Sequence, residues 1–161
     1  MTSKLDVSQF LEYLRAFNAR DYETQHSFYA PQVELVLPDA DIGTLKGSSA
    51  IMEHYRPIHE NADEKVIPLI VMSDRGRIFL HMNAYFVYKN EVAKAVHDYH
   101  VHPGDVIKID NCAIYDLDAQ GKMKRITCRL FKQELLGQVD IKEKIRESES
   151  RADPDLRLYN Y

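Results

Sequence analysis

Apolar side chains recur at helical spacing early in the chain: Phe10, Leu14 and Phe17, with Tyr13 on the same side. Asp6 followed by Gln9 has the form of a capping box, and Leu5 is placed for a hydrophobic staple. This predicts a helix over Val7–Ala19. A second helix, Tyr22–Tyr29, ends ahead of Pro31, because the residue before a proline disfavours the helical region. Gln32–Leu37 reads as a strand through Val33, Leu35, Val36 and Leu37, and residues 38–43 as a loop. A third helix, Ser49–Asn61, carries Ile51, Tyr55 and Ile58 on its apolar face with His54 beside them; Pro57 within it implies a kink or an early end.

After Asn61 the period changes to two. Lys65–Met72, Arg77–Tyr88, Asp105–Leu117 and Lys122–Lys132 predict four strands, with turns at 73–76 and 118–121. Val92–His102 reads as a short strand or an irregular crossover. Dense alternating charge from Asp140 onward (Lys142, Glu143, Lys144, Arg146, Glu147, Glu149) predicts a solvated helix and a loose tail. Helices first and antiparallel strands afterwards make an α+β fold, with the helices on one face of a strongly bent sheet.

Neither face of Arg77–Tyr88 is plainly polar. Ile78, Leu80, Met82, Ala84 and Phe86 alternate with Phe79, His81, Asn83, Tyr85 and Val87. In Asp105–Leu117, Asn111 stands alone in an apolar row that includes Tyr115. Two covered faces need a helical layer or cavity on one side and another cover, such as a second subunit, on the other. The arrangement inferred here puts His81, Asn83, Tyr85, Asn111 and Tyr115 on a pocket wall.

Composition narrows the class. The 161 residues are 45% hydrophobic and 29% charged, enough for one domain with a real core. A net charge of -4 argues against nucleic acid as a partner. No apolar run is long enough to span a membrane. Two cysteines, Cys112 and Cys128, form no disulfide framework, and the first residues contain no hydrophobic signal region, so a cytoplasmic protein is expected.

Several strings carry a resemblance. They are residues 13–23 (YLRAFNARDYE), 28–31 (FYAP), 45–47 (LKG) and 114–123 (IYDLDAQGKM). In order and spacing they resemble the nuclear-transport-factor-2-like superfamily, in its SnoaL-like and ketosteroid-isomerase-like branch, over residues 7–133. The resemblance implies a cone in residues 1–135, a curved antiparallel sheet wrapped around the N-terminal helices with an internal pocket, leaving 136–161 as a charged helix and tail. It implies a cofactor-free isomerase, cyclase or dehydratase acting on a polyketide- or terpenoid-like carbonyl compound, as a homodimer. Because the same fold hosts carriers, a non-catalytic binding module is the alternative.

Carried over residue by residue, Tyr13 falls on the oxyanion-hole tyrosine of ketosteroid isomerases. Their two carboxylates fall on Leu37 and Ala113; Asp39, two residues on, could move in for the first. SnoaL-type cyclases place an acid/base aspartate on the last strand, where residues 126–131 (ITCRLF) offer none. In scytalone-dehydratase-like enzymes a catalytic tyrosine and aspartate match Phe17 and Asn18, and a pocket asparagine matches Asn111.

His81 is therefore the expected proton carrier, since an imidazole both takes and gives a proton near neutrality. Tyr13, Tyr85 and Asn111 would hold the oxygen that gains charge. Phe17, Tyr29, Leu37, His54, Tyr55, Asn83, Ala113 and Tyr115 would bind substrate. His100 and His102, two apart on a strand, would project to one side, but no third ligand is spaced to join them. With His97 they read as a polar rim, and no metal or cofactor is expected.

Overall fold

A computed structural model describes residues 5–39 and 41–159. Helix α1, Val7–Ala19, opens with the capping box: Asp6 Oδ1 accepts from the Gln9 amide at 2.8 Å, and Gln9 Oε1 accepts from the Asp6 amide at 3.0 Å. Helix α2 covers Tyr22–Ser27 only. It stops early because the Phe28 carbonyl is taken by the Met123 amide (2.8 Å) and Tyr29 already pairs with Met123 in the sheet. Strand β1 is Tyr29–Val36. Strand β2, Thr44–Lys46, is three residues long, too short for its alternation to show in the sequence. Helix α3, Gly47–Asn61, runs through Pro57 to its predicted end.

Four long strands follow: β3 Ala62–Asp74, β4 Arg77–Tyr88, β5 Asp105–Leu117 and β6 Met123–Gln138. Arg75 and Gly76 both adopt positive φ, the conformation of a two-residue turn whose twist suits a tight hairpin, and they join β3 to β4. The curved six-stranded sheet has the order β2-β1-β6-β5-β4-β3. Its ladders are antiparallel except β1 on β6, which is parallel. Pro68 is tolerated because β3 is an edge strand, and the ladder shifts register beside it. Between β4 and β5 the chain makes the predicted irregular excursion, pinned by an isolated Val92–Val101 bridge.

Helices α1 and α3 share one hydrophobic cluster with a single sheet face: Phe10, Leu14 and Ile51 meet Ile78, Leu80 and Ile107. The edge of β3 is stitched to the end of α1. Asn18, buried, spans the Val66 backbone, donating to its carbonyl (2.9 Å) and accepting from its amide (2.8 Å). Arg20 donates to the Glu64 carbonyl at 2.6 Å.

The C-terminal helix α4, Ile141–Glu149, differs from the solvated helix expected of its charges. It lies on the opposite sheet face, where Ile145 (2% exposed) packs with Ile67, Tyr85 and Val106. Ser148, fully buried, donates to Asn83 Oδ1 (2.8 Å) and lies 2.6 Å from the Tyr85 hydroxyl, which reaches the Lys144 carbonyl at 3.1 Å. Two isoleucines, Ile141 and Ile145, among seven polar residues are too sparse a signal for periodicity to find. Among the described residues, no helix is long and apolar enough to cross a membrane. Ile145→Ala should cost about 2–5 kcal/mol in urea denaturation; an exposed helix would lose less than about 0.5 kcal/mol.

Candidate functional site

Directly opposed residues in a ladder project to the same face. Met82 opposes Asn111 and Ile78 opposes Tyr115, so Asn111 and Tyr115 share the helix-covered face. His81 opposes Cys112, Asn83 opposes Asp110 and Tyr85 opposes Lys108, on the other face. The expected grouping of His81, Asn83 and Tyr85 with Asn111 and Tyr115 is thereby corrected. Alternation within one strand defines two faces, but only the register joins them to the next strand's faces. His81 instead meets Asp110 Oδ1 at 2.7 Å beside the Phe131 ring, while Asn83 and Tyr85 hold α4. Ala113 is on the helix-covered face but lies in the core between Leu80 and Cys128, without lining the cavity.

A cavity of about 220 Å³ opens between that face and the helices. Tyr13, Phe17, Tyr29, Leu37, His54, Tyr55, Asn111 and Tyr115 all line it, as expected of the sequence. Its walls are otherwise mainly aliphatic and aromatic, including Val66, Met82, Phe86 and Ile109. Asp39, exposed, lines it too, and also lines a vestibule with Lys94, Val96 and Gln133.

Glu64, also in the lining, is the carboxylate that sequence reasoning missed. It is 5% exposed, on β3 opposite Phe86. Its Oε1 lies 3.1 Å from His59 Nε2, and His59 Nδ1 lies 3.2 Å from the Tyr22 hydroxyl. A Tyr22 hydroxyl donating to Nδ1 leaves an Nε2–H to donate to Glu64, and that choice of tautomer satisfies all three groups. His59 does not line the cavity itself and reaches the site from behind its wall. A strand starting at Lys65 does not include Glu64; the signal for it is the alternation Ala62, Glu64, Val66.

The phenols form a second polar group. Gln25 Nε2 donates to the Tyr29 hydroxyl, which lies 3.0 Å from the Tyr13 hydroxyl. Either hydroxyl of the pair can be the donor; when Tyr29 donates, the Tyr13 hydrogen is available to an acceptor in the cavity. Burial holds Tyr13, Tyr55 and Tyr115 well above the ordinary phenol range, and neighbouring tyrosines add to it, so all three remain neutral donors. Burial also lowers His54, keeping its imidazole neutral at pH 7. Asn111 Oδ1 is buried with no hydrogen-bond partner, as is Gln133 Oε1 at the vestibule. Such an atom costs about 1–3 kcal/mol unless something supplies a partner.

The chain matches the profile of the SnoaL-like domain over residues 10–126. No curated protein matches it. Among solved structures it is similar to a SnoaL-like polyketide cyclase from Agrobacterium tumefaciens, at 19% identity and TM-score 0.61, covering 89% of this chain and 98% of that one. It is similar to SalBIII, an epoxide hydrolase/cyclase-like enzyme of pyran ring formation in the polyether salinomycin, at 13% identity and TM-score 0.60, covering 77% and 90%. It is also similar to a computationally designed 17-OHP binder, at 12% identity and TM-score 0.58, covering 76% and 89%.

Cys128 lines the cavity with its thiol pushed up to about 12 by burial. Iodoacetamide at pH 8 should therefore leave Cys128 unmodified in the folded protein and label it after unfolding, as read by peptide mass spectrometry. Rapid labelling in the native state would contradict this environment.

Proposed function

The chain belongs to the SnoaL-like domain family, and from its cavity side chains we propose that it is a cofactor-free acid–base enzyme acting on a carbonyl-bearing small molecule, with Glu64 as the base. One observation carries this reading: a buried carboxylate, held by His59, lines a mainly apolar cavity that also holds neutral phenols and an unpartnered amide oxygen. The polyketide cyclase named among its structural relatives supports a polyketide-like substrate.

In the proposed reaction Glu64 takes a proton from carbon next to the substrate carbonyl. Its Oε1 is engaged by His59, so Oε2 is the oxygen free to do so. The carbonyl oxygen gains charge as the enolate forms. A neutral phenol, foremost Tyr13, donates a hydrogen bond to it, and the unpartnered Asn111 Oδ1 would accept from a hydroxyl of the substrate. Glu64 returning the proton to another carbon isomerises the substrate, returning it to the alkoxide formed when the enolate carbon attacks a second carbonyl closes a ring, and delivering it to a departing β-hydroxyl, which leaves as water, dehydrates it. All three share the proton abstraction. His59 positions Glu64 and does not itself touch substrate.

On its outer face the sheet exposes Ile70 (45%), Met72 (56%), Ile114 (40%) and Phe131 (63%) around the His81–Asp110 pair. A second copy of the chain is the proposed cover. Light scattering should then give a dimer that Phe131→Asp converts to monomer; a monomeric parent protein would contradict the assignment.

Deuterium uptake at the carbon next to the carbonyl, followed by NMR over a panel of aryl and cyclic β-dicarbonyl compounds, tests the chemistry. The protein should accelerate exchange, and Glu64→Gln should lower that rate about 10²–10⁴-fold with ligand binding retained. Unchanged exchange in Glu64→Gln would reject Glu64 as the base. Binding without exchange by the parent protein would assign the non-catalytic reading, which the absence of carboxylates at Leu37 and Ala113 favours.

A further inference from the structure

The excursion between β4 and β5 has its ends held by reciprocal Val92–Val101 hydrogen bonds of 3.0 Å. Val101 is fully buried. Residues on either side of it must therefore face outward, since strand neighbours alternate. The register places Glu91 across from His102, with His100 on the same outer side. One ligand atom from each of these three residues lies within 4.8 Å of the others. His100 Nε2 is 2.8 Å and His102 Nε2 is 3.9 Å from Glu91 Oε1, and the two imidazoles lie with centroids 4.8 Å apart.

We propose that Glu91, His100 and His102 form a binding site for a divalent transition-metal ion of the Zn²⁺ class. Donor atoms held at about 2.0–2.2 Å by one tetrahedral ion sit about 3–3.5 Å apart, so the side chains need shifts of roughly 1 Å or less. All three are exposed, at 56–63%, and free to make them. Two imidazoles and one carboxylate suit Zn²⁺, Co²⁺ or Ni²⁺ rather than Mg²⁺ or Ca²⁺, which prefer oxygen alone. Water would complete the coordination.

A second observation supports the site. His102 turns its other nitrogen, Nδ1, toward Asp105, whose Oδ2 is 3.8 Å away and accepts the His102 amide at 2.8 Å. Gln138 Nε2 in turn donates to Asp105 Oδ1 at 2.9 Å. At 3.8 Å the imidazole and carboxylate are not hydrogen-bonded, and a shortening of about 1 Å would bring them to the carboxylate–imidazole arrangement commonly found behind histidine metal ligands. The sequence reading found no third ligand because Glu91 is nine residues before His100 and joins it only through the Val92–Val101 bridge. The same excursion carries Lys94, Ala95 and Val96 along the vestibule, so a bound ion would tie together the base of the segment bordering the cavity mouth. The site stands independently of the proposed chemistry inside the cavity.

Calorimetric titration of Zn²⁺ into tag-free, metal-free protein tests it, with the Co²⁺ absorption spectrum as a geometric readout. One ion per chain should bind in the low-micromolar range. Binding and the tetrahedral Co²⁺ bands should vanish in Glu91→Gln and in the double variant His100→Ala/His102→Ala. Asp105→Asn should bind about tenfold more weakly, and His81→Ala, on the outer sheet face, should bind like the parent. Absence of low-micromolar binding, or equal binding by parent and Glu91→Gln, overturns the site. Glu91→Gln is nearly isosteric, which guards against loss of fold in the histidine variant.

Discussion

A carboxylate walled in by apolar side chains is tolerated only when something hydrogen-bonds it. Glu64 meets that demand through His59, and the arrangement around the pair follows from keeping the two in reach. His59 sits in the last turn of α3, and Tyr22 in the first turn of α2 holds its far nitrogen. Asn18 and Arg20 bind the backbone of β3 at Val66 and at Glu64 itself, fixing an edge strand that would otherwise be free to slip. Two helices and the end of a third thus converge on one strand segment, at the wall of the cavity.

The rest of the cavity divides its polar groups by whether they are already satisfied. Gln25, Tyr29 and Tyr13 form a relay that begins with an amide donor and ends at the cavity. Asn111 has no partner for its oxygen, and it stands in the middle of the apolar row on β5. An amide oxygen buried without a partner costs about 1–3 kcal/mol, so this position calls for a hydrogen-bond donor from water or a ligand. An acid–base site needs a base, a donor and an unfilled polar position, and groups of those three kinds line this one cavity.

The elements with strong periodicity were legible to the residue: α1 through its capping box and apolar spacing, β4 and β5 through uninterrupted alternation. Much of the cavity wall was legible too, because Tyr13, Phe17, Asn111 and Tyr115 could be placed by resemblance. What failed was physical in origin. The faces of β4 and β5 are matched by register, a non-local property, so His81 was assigned to the wrong side. Glu64 follows another acidic residue just after a helix, so the sequence pattern starts the strand one residue later, and pairing with Phe86 brings it into β3. Asn18, matched to a catalytic aspartate in one comparison, serves instead to hold β3. Ile145 was hidden by the charges around it.

The central claim is that Glu64, rather than any residue on the outer sheet face, meets the substrate. A crystal structure with a bound phenolic analogue of an enolate tests this most directly. The account predicts the analogue inside the cavity, its oxygen hydrogen-bonded by Tyr13, Tyr115 or Asn111 and a ring carbon against the Glu64 carboxylate. An analogue seated beside His81 and Asp110, or one in the cavity with Glu64 out of contact, would contradict it.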